Sequence, residues 1–473
     1  MTRIKTGADV KPKKPTKPLW SGRFKDAVHP LAAGYTRSLH LDRRLALDDI
    51  RGSRAHVRML AEQGILSAED RDQILKGLDQ VQREIESGEF PYRDELEDIH
   101  MNIERRLQEL AGEAGARIHT GRSRNDQVAL DLKLFCLRTA GGWQERLRAL
   151  QAVLAGRASD LKSDLFPGWT HLQAAQPLSW GHYLLSFCEM FDRDYRRLSG
   201  YREMHSISPL GAGALAGSTL PLDPENTARE LGFASSFRNS YDVVGDRDFA
   251  LELLQIATQM MIHVSRLAED FIYFASTPVA WIELPDALCT GSSMMPQKKN
   301  PDVLELARGK AASVLGHASA LAILLKGLPT SYNRDLQQDK EHLFPAVDIV
   351  TDTLEVLQPA LAHFSIRRTR IAQVLQDGFL MATDLAEYLV AKNVPFRLAH
   401  EKIGRLVAYC VEQGIRLQDL SLHKMQEFAP EFESDVREAV NPNGVLTRRR
   451  HKGSTGLASV EQQIKYWKKI ANE

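Results

Sequence analysis

The chain lacks several features that would assign it to a particular class of protein. It has no excess charge, since 61 Lys and Arg residues balance 61 Asp and Glu residues, which argues against nucleic acid or a membrane surface as the main partner. No apolar run reaches the roughly 18 residues of a membrane span. The four cysteines lie far apart and form no CxxC pair, so we expect reduced thiols and a cytoplasmic location.

Motifs for cofactors and metals are also missing. The 15 histidines include no HExxH segment, and no Cys/His cluster predicts zinc. The glycines of Gly211–Gly217 have the wrong final spacing for a dinucleotide-binding fingerprint, and no predicted strand precedes them. We therefore expect neither a cofactor nor a metal ion.

Long proline-free stretches with apolar residues at spacings of three and four dominate the sequence. They run over 126–165, 226–277 and 302–328, and they predict helices well above the usual length of about 11–12 residues. Gly141 and Gly142 weaken the first helix by about 1 kcal/mol each, so we expect a bend there. Period-two alternation is scarce, and the sequence predicts an all-α chain with a central long-helix bundle that associates with copies of itself.

Composition divides the chain into four segments. Residues 1–18 carry Lys or Arg at six positions and three prolines, which is typical of a disordered basic tail. We expect an N-terminal helical domain over 19–121, the central bundle over 122–371, and a C-terminal domain of shorter helices over 372–473.

The most informative stretch is Gly-Ser-Ser-Met-Met-Pro-Gln-Lys-Lys-Asn-Pro, which ends at Pro301. Its glycine and prolines exclude a helix interior or a central strand. Asn300 and Pro301 predict a helix start with Asn300 as the N-cap. Capping alone does not explain Ser292 and Lys298, whereas ammonium groups beside a helix N-terminus predict an anion site.

Three further polar segments each have a functional and a structural interpretation. His119–Gln127 offers two guanidinium groups to a carboxylate, or it is simply a helix start capped by Asn125 or Asp126. Gly168–Gln176 places a lone histidine among polar residues in a predicted loop between helices, where a structural role is as well supported as a catalytic one. Tyr332–Lys340 holds groups able to bind a polar substrate, but it is also typical of a solvated helix.

Together these segments resemble the fumarase/aspartase-type lyases and, within that superfamily, the argininosuccinate lyases. The resemblance extends over about residues 19 to 470, and the motifs that carry it are Trp20–Phe24, His119–Gln127, Gly291–Asp302 and Leu328–Lys340. It implies a three-domain chain with a 20-helix core in a homotetramer. It also implies the reversible β-elimination of argininosuccinate to arginine and fumarate, the last step of arginine biosynthesis.

The resemblance implies a role for each matching residue. Ser292 would take the proton from the succinate carbon, and Lys298 and Asn300 would hold the carboxylate that becomes charged. His171 would act as the acid toward the leaving nitrogen, with Glu305 raising its basicity. The implied substrate-binding residues are Ser38, Arg124, Asn125, Thr170, Asn300, Tyr332, Gln337 and Lys340.

The same resemblance implies an assembly in which each active site gathers segments from three subunits. It implies no metal, no cofactor, no nucleic acid and no membrane. Gly291 further predicts that the loop from about 288 to 299 closes over the substrate. Two alternatives stay open at this point: another fumarate-releasing lyase of the superfamily, and a crystallin-like structural homologue without activity.

Overall fold

The computed structural model describes residues 28–377 and 379–471. The basic tail predicted over 1–18 and the Trp20–Phe24 motif lie outside these residues. The first described helices form a small apolar core of their own. Their bounds are α1 Pro30–Tyr35, α2 Leu39–Asp42, α3 Ala46–Glu62, α4 Ala68–Glu86 and α5 Ile99–Gly115.

The middle of the chain is dominated by five long helices. The bounds of its helices are α6 Arg124–Asp160, α7 Trp180–Met204, α8 Pro224–Leu231, α9 Ser240–Val243, α10 Asp248–Ala275, α11 Asp302–Leu325 and α12 Asp339–His363. The five long ones (α6, α7, α10, α11 and α12) pack their apolar faces into the largest core of the described chain. Burying each large apolar side chain stabilises the fold by about 1.5–3 kcal/mol.

Shorter helices complete the chain. Their bounds are α13 Arg368–Asp377, α14 Ala382–Ala391, α15 Phe396–Gln413, α16 Leu422–Phe428, α17 Val436–Ala439, α18 Val445–Arg448 and α19 Leu457–Ile470. The buried apolar residues between 385 and 440 share a third apolar core. The last helix, α19, instead places Val460, Ile464 and Trp467 in the core of the long helices. The end of the chain is therefore anchored to the bundle.

Strands in the described chain are short and form three two-stranded sheets. Their bounds are β1 Leu165–Thr170, β2 Gln173–Ser179, β3 Ile207–Ser208, β4 Ser235–Ser236, β5 Ile282–Glu283 and β6 Ser365–Ile366. The pairs β1–β2 and β5–β6 are antiparallel, and β3–β4 is parallel. These strands connect helices and form no layer of their own, so the prediction of an all-α fold is confirmed.

Three of the five long helices, α6, α10 and α11, lie in the predicted stretches, whereas α7 and α12 were not predicted. α6 runs without a break through Gly141 and Gly142; Trp143, Leu147 and Leu150 are buried just beyond these glycines and hold the helix against its neighbours. The stretch predicted from 226 contains three helices, and its long helix begins only at Asp248. No described helix is both long and apolar enough to cross a membrane.

Candidate active site

Two backbone hydrogen bonds join the ends of the loop that carries Ser292. Thr290 and Asn300 form an isolated antiparallel bridge, with Asn300 N donating to Thr290 O at 2.8 Å and Thr290 N donating to Asn300 O at 3.2 Å. The Thr290 hydroxyl also donates to Asp302 in the first turn of α11. Residues 291–299 therefore project from the start of α11 with both ends fixed.

Asn300 does not cap the helix as predicted. α11 begins at Asp302 with Pro301 as its N-cap, and no side chain accepts a hydrogen bond from its first turn. The Asn300 amide instead donates to Thr290 Oγ1 at 3.4 Å. The bridge to Thr290 sets the backbone of Asn300 and shifts the helix start by one residue. The amide of Leu304 donates to Pro301 O at 2.9 Å, which leaves the amides of Asp302 and Val303 free to bind an anion.

Ser292 lies in a turn that places two amides on its hydroxyl oxygen. Its Oγ accepts hydrogen bonds from Met294 N at 3.3 Å and from Met295 N at 3.1 Å, and the residue is half-buried. Donors aimed at an oxygen stabilise negative charge on it. This geometry favours an alkoxide at Ser292 over one at its exposed neighbour Ser293.

The two adjacent lysines of the loop have different surroundings. Lys299 Nζ binds Asp286 at 2.5 Å and Glu283 at 3.3 Å; the hydrogen bond to Asp286 is the main reason that its pKa is raised. Lys298 is exposed and forms no ion pair within the described ranges. Lys299 thus anchors the loop to the chain before it, and Lys298 is left to face a ligand.

His171 lies at the tip of a β-hairpin rather than in the predicted loop between helices. Thr170 pairs with Gln173 across a two-residue turn, in which His171 and Leu172 have φ values of 55° and 56°. Two positive φ values are typical of the type I′ hairpin turn, and they are unusual for residues other than glycine, asparagine and aspartate. Strained residues of this kind cluster at functional sites.

The hairpin leaves Thr170 and His171 exposed. The His171 ring has no hydrogen bond or ion pair to any described residue, and it does not contact Glu305, which is itself exposed on the first turn of α11. The hairpin is nevertheless held at the end of the bundle where α11 begins, because Trp169 packs edge-on against Trp281 with 5.0 Å between their ring centroids. One chain therefore holds Ser292 and His171 at the same end without joining them.

The second group of predicted residues surrounds the start of α6. Its N-cap is Ser123, which forms a capping box with Asp126, so the predicted caps Asn125 and Asp126 are both wrong. Asp126 also accepts hydrogen bonds from Gly211 N and Gly213 N at 3.1 and 2.9 Å, and burial raises its pKa to about 6. The glycine-rich segment therefore docks on α6.

Arg124 and Asn125 occupy the first turn of α6. Asn125 Nδ2 donates to the carbonyl of Ala214 at 3.0 Å. Arg124 Nε lies 3.3 Å from Asp98 Oδ2, and its Nη1 donates to Gln127 at 2.9 Å. These contacts orient the guanidinium group and use some of its five donors, and the remaining donors are available to a carboxylate.

Ser38 and Lys340 meet through a carboxylate that the sequence interpretation missed. Ser38 Oγ donates to Asp42 Oδ2, and Lys340 Nζ lies 3.9 Å from Asp42 Oδ1. Lys340 also donates to Asp339 at 3.0 Å, and Arg247 Nε donates to the same carboxylate at 2.7 Å. All five residues are buried. The spacing of Asp42, four residues after Ser38 at the end of a helix, was a signal that could have found it.

Tyr332 and Gln337 flank this buried network. Tyr332 precedes a 3₁₀ helix, Arg334–Gln338, that carries Gln337. Burial raises the pKa of the Tyr332 hydroxyl, and the nearby charges of Arg247 and Lys340 act in the opposite direction. Tyr332 is thus a neutral hydroxyl beside two cations, which suits a polar or anionic ligand.

The predicted residues fall into two half-sites at opposite ends of the bundle. α11 has 24 residues and is about 36 Å long at 1.5 Å per residue. Ser292, Lys298, Asn300 and Glu305 lie at its start, and Tyr332 follows its end. α6, with 37 residues, separates Arg124 from the hairpin by about 55 Å. No small molecule reaches both half-sites of one chain.

One buried group has the composition of a metal site. Among the described residues, Asp49, His100 and Asp131 bring their ligand atoms within 4.8 Å of one another. His100 Nδ1 lies 3.4 Å from each carboxylate. Burial raises the pKa of Asp49, but His100 and the charge of Arg122 outweigh burial and hold this pKa well below its usual range. Burial and the charge of Asp49 instead raise the pKa of Asp131 well above its ordinary value.

Comparisons with known proteins agree with this architecture. A family model described as Lyase matches residues 22–316, and one described as Argininosuccinate lyase C-terminal matches residues 379–447. An argininosuccinate lyase from Symbiobacterium thermophilum is 48% identical over 446 residues, which cover 94% of this chain and 97% of that protein. One from Alkalilimnicola ehrlichii is also 48% identical, over 94% and 95% of the two chains.

Solved structures show the same fold. A variant of EDDS lyase with bound fumarate has a TM-score of 0.79 and 26% identity, covering 91% of this chain and 87% of its own. A class II fumarase from Schistosoma mansoni has a TM-score of 0.71 at 17% identity, over 88% and 92% of the two chains. Its sequence matches over nearly its whole length, and this chain therefore belongs to the argininosuccinate lyase family.

Proposed function

We propose that this protein releases fumarate from argininosuccinate by β-elimination, in arginine biosynthesis, at sites assembled from several copies of the chain. The observation that carries the proposal is the Ser292 loop, where an amide-stabilised hydroxyl and an unpaired lysine project from a helix N-terminus. Fumarate bound to the EDDS lyase variant supports a fumarate-releasing reaction for this fold.

Ser292 is the proposed base. Its alkoxide takes a proton from the succinate carbon that is next to a carboxylate. Each unit by which a pKa is lowered corresponds to about 1.4 kcal/mol, and the two amides on Ser292 Oγ, together with Lys298 and the positive end of α11, supply several such contributions. Charge stabilisation is therefore concentrated where the base needs it.

The electrons from the broken C–H bond first move into the adjacent carboxylate, which becomes doubly negative. Lys298, the Asn300 amide and the free amides at the start of α11 are placed to hold this charge. Preorganised donors of this kind contribute about 10²–10³-fold each. The C–N bond then breaks to form the double bond of fumarate.

The leaving guanidino nitrogen needs a proton, which we assign to His171. Its exposed ring at a strained hairpin tip has no partner among the described residues, as expected of a group that finds its partners in another subunit. Glu305 is the proposed carboxylate beside it in the assembled site. Thr170, Arg124, Asn125, Tyr332, Gln337, Ser38 and Lys340 are the proposed substrate-binding residues.

An unused face of α11 supports assembly into a homotetramer. Ile323 is exposed on this helix, and Gly309 and Gly316 lie on the same face because the three positions are seven residues apart. On Gly309 and Gly316 an added Cβ would meet no atom of the chain within 4 Å. Small residues beside exposed apolar ones are typical of close helix–helix contact. Burying this face against copies would bring opposite ends of different chains together.

An assay of fumarate release tests the proposed reaction. Ultraviolet absorbance of fumarate is expected to rise when argininosuccinate is added, and to stay flat with adenylosuccinate, aspartate or malate. Release from one of those compounds instead would assign the chain to another fumarate-releasing lyase. No release from any of them would point to a structural homologue without activity.

Mixed assemblies test whether sites are shared. Ser292→Ala and Lys340→Met are each expected to be inactive because each destroys one half-site. Co-refolding the two in equal amounts is expected to restore about a quarter of the sites, since each half-site is native in half of the chains. The measurement is fumarate release per mole of chain.

The matched control mixes Ser292→Ala with Lys298→Met. Both substitutions affect the same loop, and each site takes this loop from a single chain. Every site would therefore carry one of the two defects, and no activity should return. Recovery in this control, or none in the Ser292→Ala and Lys340→Met mixture, would contradict the sharing of sites between chains.

A further inference from the structure

A buried carboxylate lies between two of the proposed substrate-binding residues. Asp42, the last residue of α2, is 4% exposed. One of its oxygens accepts the hydrogen bond from Ser38, and the other lies 3.9 Å from the ammonium group of Lys340. These two partners are about 300 positions apart in sequence. Asp42 is thus the point at which the N-terminal helices meet the half-site of α12.

Burial and the neighbouring groups act on the pKa of Asp42 in opposite directions. Burial is the largest influence and leaves this pKa raised, although Lys340, His100 and the hydrogen bond from Ser38 act to lower it. Asp98 also faces it and raises the pKa slightly further. For Lys340 the opposite balance holds: burial lowers its pKa, but Asp339 and Asp42 outweigh burial and leave the pKa raised. The ammonium group and the carboxylate therefore stabilise each other's charge.

The hydrogen bond from Ser38 has a chemical consequence. A hydroxyl has one donor and two acceptor lone pairs, and Ser38 uses its donor on Asp42. It can face a ligand only as an acceptor, so the ligand group beside it must carry an N–H. Lys340 has three donors, of which Asp339 takes one at 3.0 Å. It can face a ligand only as a donor, and so it suits a carboxylate.

We infer that Asp42 is a positioning residue that orients Ser38 and Lys340 to bind the α-amino-acid end of the arginine moiety. Ser38 accepts from the α-ammonium group, and Lys340 donates to the α-carboxylate. Asp42 itself does not touch the substrate. This inference rests on the proposed function, and it assigns the arginine end to the half-site of α12 and the succinate end to the Ser292 loop.

The inference predicts a selective loss in the variant Asp42→Asn. An asparagine of the same shape keeps the packing but removes the charge that fixes Lys340. It also places an amide donor where Ser38 now donates. Inhibition by arginine, measured as a Ki, is expected to weaken about tenfold or more, as for loss of one charge-assisted hydrogen bond. Inhibition by fumarate should stay within about twofold.

Three comparisons make this test specific. Glu341→Gln, an exposed change on the same helix, should leave both inhibition constants unchanged. Ser38→Ala combined with Asp42→Asn should cost less than the product of the two single effects, because Asp42 acts partly through Ser38. Asp42→Glu keeps the charge but moves the oxygens; it should also weaken arginine selectively, and it replaces the Asn variant if that one fails to assemble.

Two outcomes would overturn the inference: an unchanged Ki for arginine in an assembled Asp42 variant, or equal losses for arginine and fumarate, which would indicate general damage to the structure. Calorimetric titration with arginine measures the same half-site without turnover. A wild-type protein that binds arginine through Asp42 but releases no fumarate would contradict the proposed function and leave this inference standing.

Discussion

Replacing Ser292 with alanine is expected to reduce turnover by about 10²–10⁴-fold, the contribution typical of one acid–base group. The change removes the hydroxyl oxygen that accepts hydrogen bonds from the amides of Met294 and Met295. The adjacent hydroxyl of Ser293 does not accept from these amides. Substrate binding depends on other residues, so KM should change far less than kcat. Steady-state kinetics with argininosuccinate measures both.

Ser293→Ala is the matched control for this prediction. Ser293 is adjacent, exposed and has no hydrogen bond from these amides, so its loss should change turnover by less than about threefold. If Ser292→Ala kept more than a tenth of wild-type turnover, or if both variants lost activity equally, Ser292 would not be the base.

Lys298→Met is expected to lower turnover by about 10²–10³-fold, as for removal of one donor to a developing oxyanion. Lys298 is free to approach the carboxylate, and methionine keeps most of its length while removing its charge. The kinetic readout is kcat/KM for argininosuccinate at fixed ionic strength, since salt screens exposed charges.

The adjacent lysine provides the comparison. Lys299→Met removes the ion pairs with Asp286 and Glu283, which lie at the surface and contribute little to stability. We expect a change in turnover of less than about tenfold, caused by a less firmly anchored loop. Equal losses in the two variants would mean that the loop acts through its total charge and not through Lys298.

The sequence predicts the long helices well because their stabilisation is periodic and local. The apolar spacing in α6, α10 and α11 needs no knowledge of partners. α12 was not among the predicted long helices, because Pro345 and Pro359 interrupt it, and tertiary packing outweighs what the prolines cost. The same packing keeps α6 continuous through Gly141 and Gly142, against their low helix propensity.

The site residues were predictable as residue types, but their partners were not. Lys298 and Lys299 are identical neighbours in sequence, and only the positions of Asp286 and Glu283 in space distinguish them. The hairpin around His171 was missed because Pro167, Gly168 and Pro177 hide any strand pattern, and its turn lacks the usual Asn-Gly pair. The role of Asp42 was not predictable because its partner Lys340 lies far away in the sequence and near it only in space.

The bridge between Thr290 and Asn300 has a consequence for the affinity of the enzyme. Bringing the ends of a loop together costs conformational entropy, and fixing each backbone residue costs about 1–2 kcal/mol more. The bridge already brings the loop ends together in the folded protein. A ligand that closes residues 291–299 therefore has to offset only the entropy of fixing the backbone between them. Two backbone hydrogen bonds that touch no ligand thereby help to set how tightly substrate is held, and changes in the length of the loop would tune affinity without altering any contact residue.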